Sequence, residues 1–109
     1  MISLPIRGHA VATLHAYAEE DILTPDDRAD PDMIGVCAAV DAYIRGDRER
    51  LVFPASAALD VADGLNDLAN GEDDQADATR RSNPEFSTMC RAARDGLQGL
   101  RRRVLARAS

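Results

Sequence analysis

A chain of 109 residues has the size of one domain and can bury about 65% of the surface its unfolded form exposes, which leaves no room for a second core. Its apolar content of 45% includes only four aromatic residues, Tyr17, Tyr43, Phe53 and Phe86, alongside much alanine, a mixture that favours close helix packing over a thick core. Charge is divided: residues 1–78 carry 5 Arg against 17 acids, a balance of −12, whereas residues 79–109 carry 8 Arg against Glu85 and Asp95, a balance of +6.

The opening MISLPIRGHAVATL lacks the basic start and unbroken apolar stretch of a signal peptide, and no run is long enough to cross a bilayer, so the expected location is cytoplasmic, without a membrane. Two cysteines are too few for a disulfide scaffold and show no zinc spacing.

An extended stub, IleSerLeuPro at 2–5, leads into a first predicted helix over 6–22, with Ile6, Ala10, Val11, Leu14, Tyr17, Ala18 and Ile22 on one side. Thr24, Pro25, Asp26 and Asp27 then have the chemistry of a capped helical turn. Asp30-Pro31-Asp32 opens a second helix whose stripe is Met33, Val36, Cys37, Val40, Tyr43 and Ile44, with Gly46 as its stop. Residues 50–54 read as another short extended stub, because Val and Phe favour β geometry and the residue before Pro54 is pushed out of the helical region.

A third helix is expected from Ala55 or Ser56 to Asn70, with Ala58, Val61, Ala62, Leu65, Leu68 and Ala69 inward and Gly71 as terminator. Residues 71–82, GEDDQADATRRS, have almost no apolar content and are expected to form a mobile acidic-to-basic loop within a single domain spanning 1–109. Asn83-Pro84-Glu85 begins the last helix, with Phe86, Met89, Cys90, Ala93, Leu97, Leu100 and Val104 inward.

The phrases DPDMIGVCAA and NPEFSTMCRA correspond in type at a constant offset of 53, and the upstream stubs and helices echo each other at slightly smaller offsets. A duplicated unit produces this pattern, and so do two amphipathic helices begun by the same capping chemistry. Both readings give an all-α fold, a four-helix bundle of two αα-hairpins with two short extended stubs. Cys37 and Cys90 are read as small core residues, a redox pair being the alternative. The stubs leave backbone groups that need partners; a two-fold homodimer, slightly favoured, supplies them with Phe53 and Tyr43 expected near the contact, and pairing within one chain is the alternative.

Little in the chain points to catalysis. His9 and His15 are six apart and face different ways on a helix, while His15 and Glu19 make only half a metal site. Di-metal carboxylate bundles need acids pointing inward from several helices, yet Asp60, Asp63 and Asp67 fall on the outward face of the third helix and Glu19, Glu20 and Asp21 crowd the end of the first. No phosphate-binding loop, dinucleotide fingerprint or nucleophile elbow occurs. No metal, cofactor or catalytic residue is therefore expected.

The most distinctive surface is basic. Arg91, Arg94, Arg101 and Arg102 are expected opposite the last helix's apolar stripe, and Arg80 and Arg81 in the loop before it. These six residues form the candidate binding site of a non-enzymatic module that contacts another protein. Nucleic acid is the alternative partner, opposed by a net charge of −6 and by the absence of aromatic residues among the arginines.

Overall fold

The computed structural model describes residues 1–20 and 22–108. Asp21, the third of the acids expected to crowd the end of the first helix, lies outside them. The chain is mostly helical with one small sheet: β1 (Ile2–Pro5), α1 (Ala10–Glu19), α2 (Pro25–Ala29), α3 (Ile34–Arg45), β2 (Arg50–Phe53), α4 (Ala58–Thr79) and α5 (Pro84–Ala108). Short 3-10 turns at Pro31–Met33 and Ala55–Ala57 lead into α3 and α4.

The two stubs pair with each other, antiparallel, with Ile2 opposite Phe53, Ser3 opposite Val52, Leu4 opposite Leu51 and Pro5 opposite Arg50. This register has a symmetry of its own. If the stubs are aligned on their prolines, Ser3 faces its own counterpart, Val52, while Ile2 and Leu4 face each other's counterparts, as a two-fold axis through the middle of the pair requires. Pairing within one chain meets the backbone requirement that had suggested a dimer. Phe53 and Tyr43, expected near a dimer contact, are buried in the chain's own core, each 1% exposed.

The first helix starts later than its periodicity suggests. Ile6 is buried, but its N–H donates to the Glu49 carbonyl at 3.1 Å and so prolongs the sheet edge, and Gly8 then turns the chain with φ +72°. Capping follows the sequence closely: Thr24 and Asp27 form a reciprocal capping box, the Asp30 carboxylate accepts from the Asp32 N–H at 2.9 Å, and the Asn83 side chain accepts from the Phe86 N–H at 3.2 Å.

Gly46 ends α3 as expected, although for a different reason. Its φ is −81°, and the left-handed residues are Asp47 and Arg48, at +58° and +68°. Glycine is needed there for space, since a Cβ would stand 1.7 Å from the Arg50 carbonyl oxygen.

The core is built by α4, which packs against α3 on one side and against α5 along its length, with α1 lying on α5 and α3 and the sheet closing against α3. Leu65 and Leu97, both expected inward, are fully buried, together with Leu14, Leu51, Val61 and Val104. Glycines set the spacing. A Cβ on Gly64 would fall 1.9 Å from the Gly35 carbonyl oxygen, so α3 and α4 touch backbone to backbone, and one on Gly96 would fall 2.9 Å from the Ala10 nitrogen, where α1 starts.

The expected terminator Gly71 and the expected loop over 71–82 are corrected here: α4 runs unbroken to Thr79, and the turn is confined to the residues between Thr79 and Pro84. One-sided anchoring carries the helix through this polar stretch. Ala76 is completely buried, its carbonyl accepts a 2.6 Å hydrogen bond from the buried Ser87 hydroxyl, and Asp73 pairs with Arg94. At this end of the hairpin Phe86 and Met89 are 39% and 62% exposed, not inward, because α1 leaves an open crevice over that side of α5's first turns. Ile22 and Ile44, expected inward, are also exposed.

Candidate functional site

The six arginines do not form one face. Arg80 and Arg81 stand exposed in the turn joining α4 and α5, and Arg102 is exposed some 20 residues further on, about 30 Å along the helix axis. Arg94 is drawn to the α4 side, where it pairs with Asp73 and with its neighbour Asp95 at 3.1 Å. Arg91 donates to the Ser87 and Thr88 hydroxyls, both at 3.4 Å. Arg101 is half-buried, with its Nε out of solvent and without a hydrogen-bond partner among the described residues. Beside it, Gln98 donates to the Asn66 side chain at 3.0 Å, so the α4–α5 seam is laced by polar cross-links where Arg94 had been expected to face outward.

Asp60, Asp63 and Asp67 are exposed on α4, as their spacing suggests. Of the histidines, His15 is hydrogen-bonded through Nδ1 to the Tyr43 hydroxyl at 3.1 Å, with the rings edge to face. Its expected partner Glu19 is taken by Arg48. Burial pushes the Tyr43 hydroxyl's pKa up; the Arg48 charge opposes this and Glu19 adds to it. The α3–β2 turn is thereby tied to α1. Among the described residues no three His, Cys, Asp or Glu side chains are grouped to hold a metal ion.

A crevice runs between α1 and the distal half of the α4–α5 hairpin. One cavity of about 220 Å³ is bounded by Thr13, Glu72, Gln75, Phe86, Met89 and Cys90, among others. A second, of about 340 Å³, shares Thr13, Ala16, Glu72 and Gln75 with it and reaches Tyr17 and Asp67. Glu72 stands at the junction, where one carboxylate oxygen accepts from the Thr13 hydroxyl at 3.2 Å. The Cys90 thiol is buried beside it, 3.9 Å from the Gln75 side-chain oxygen, and burial together with the Glu72 carboxylate raises its pKa. Cys37 and Cys90 are both free thiols.

Sequence reasoning missed Glu72 by assigning it to a loop. The signal was present: Leu65, Leu68, Ala69, Glu72 and Ala76 continue one helical stripe across Gly71, which puts a carboxylate at a position otherwise held by apolar residues. No helix among the described residues is long and apolar enough to cross a membrane. Comparison with protein-family models, with curated proteins and with solved structures gives no match to this chain.

Proposed function

We propose that the chain is a cytoplasmic, non-enzymatic interaction module, a four-helix bundle of two αα-hairpins that presents arginines to an acidic surface of another protein. The hairpins are α1 with α3 and α4 with α5. The symmetric strand register is what a duplicated unit would give, whereas the helix contacts it would make equivalent are unequal, α3–α4 being far more extensive than α1–α5. The observation that carries the functional reading is the set of unpaired guanidinium groups: Arg80, Arg81 and Arg102 are exposed and form no ion pair among the described residues.

An acidic protein surface is favoured over nucleic acid because these arginines are spread from the turn before α5 to its C-terminal half and form no continuous track for a phosphate backbone. Cross-linking in the native cell with wild-type chain and with the triple variant Arg80→Glu, Arg81→Glu, Arg102→Glu tests the reading. A specific protein captured by wild type and lost with the variant is the expected result. Binding of duplex or single-stranded nucleic acid that weakens steeply with salt and disappears with the same variant replaces it with the nucleic-acid reading. Self-association does not need strand exchange here. It would use exposed apolar residues of α3 such as Ile34 and Ile44, and sedimentation at micromolar concentration detects it.

A further inference from the structure

We propose that the crevice between α1 and α4 binds a small organic ammonium ion on an apolar stem, with Glu72 pairing the charge and Phe86 and Met89 holding the stem. Two independent observations carry this assignment. The first is electrostatic: Glu72 is half-buried, its carboxylate meets only neutral groups, the Thr13 hydroxyl that donates to it and the Cys90 thiol beside it, and among the described residues no cation lies within 4 Å of it. A carboxylate removed from water in this way gains from a cation that arrives with its own apolar cover.

The second is the shape and lining of the cavity. It holds about 220 Å³, below the roughly 300 Å³ at which pockets for drug-sized molecules begin. Its rim is a partly exposed aromatic ring and an exposed thioether, side chains that attract cations and alkyl or aryl stems alike. Asp67, in the adjoining cavity, adds a second negative charge, and His9 is the one basic side chain of the first. An anionic ligand is therefore disfavoured.

An ammonium suits the site better than a guanidinium. The Thr13 hydroxyl on one oxygen of Glu72 stands in the way of a planar fork that needs both oxygens at once, whereas a point-like ammonium can use the other oxygen alone. A metal ion is disfavoured by the lack of further ligands grouped with Glu72 among the described residues. The assignment is independent of the arginines and of any protein partner.

The test uses the full chain, isotopically labelled, titrated by NMR with phenethylamine and, separately, with 3-phenylpropanoate, which has a similar stem and the opposite charge. Saturable shifts confined to residues around Thr13, Glu72 and Met89 are expected with the amine alone. Glu72→Gln should weaken amine binding about tenfold or more, the loss of one charge-assisted contact. Phe86→Ala should weaken it too, and that residue is exposed enough to be replaced without loss of the fold, which a circular dichroism melt verifies. Asp60→Asn, outside the crevice, should leave binding unchanged. Equal binding of the carboxylate, or amine binding untouched by Glu72→Gln in a folded protein, overturns the proposal.

Discussion

The two ends of the α4–α5 hairpin solve the same problem with different chemistry. Near Leu65 and Leu97 the hairpin is covered by α3, α1 and the sheet, so large apolar side chains reach zero exposure and the backbones of Gly35 and Gly64 touch. Toward the turn the cover thins. There the helices are joined by alanine and by polar links, with Ser87 bonded to the Ala76 carbonyl and Arg94 to Asp73, while Phe86 and Met89 lie open. Apolar burial needs a third layer, whereas hydrogen bonds and ion pairs need only the facing helix, so the pair extends past its cover by changing its contacts.

The sharpest break of this comparison is truncation at both ends. Leu65→Ala or Leu97→Ala should cost about 2–5 kcal/mol in chemical denaturation, whereas Met89→Ala should stay within about 0.5 kcal/mol of wild type. Comparable losses at the two ends would mean that the hairpin's end is covered in solution.

Spacing comes next. Gly64→Ala must force the α3 and α4 backbones apart and should cost about 1–3 kcal/mol by the same measurement, since the new methyl has no free volume. Ser87→Ala, which removes the buried hydroxyl's bond to Ala76, is expected to cost about 0.5–1.5 kcal/mol. The opposite sign is expected at Gly71, where a Cβ meets nothing within 4 Å: Gly71→Ala should stabilise by about 0.5–1 kcal/mol if this stretch is helix in solution, and do nothing or harm if it is not.

The smallest effect is kinetic. Cys37 is half-exposed, while Cys90 is buried with its pKa raised, first by burial and then by Glu72. A raised thiol pKa means less thiolate at neutral pH, so maleimide labelling should modify Cys37 well before Cys90. Mass spectrometry of partly labelled protein reads the order directly.

Most element starts were legible because capping is local chemistry: Thr24, Asp30 and Asn83 each bond to a backbone N–H within three residues, a distance that tertiary structure does not alter. Inward stripes near the centre of the chain were legible for the same reason of periodicity. The end of α4 was not, since Gly71 and the polar run after it are weak helix formers by themselves, and what holds them is contact with α5. The candidate crevice was hidden by that error, because Glu72 has no meaning as a site until α1 is laid across it.

The amino-acid order alone was enough for a mostly helical chain, its caps, its two extended stubs and the charge contrast between its halves, all of which depend on neighbours a few positions apart. It could not say that the stubs pair in one chain, that Gly35 meets Gly64, that Arg94 turns to Asp73, or that a half-buried carboxylate opens onto a crevice. Those facts depend on residues between 21 and 59 positions apart meeting in space, and chain packing, not local propensity, sets which of the many compatible meetings occurs.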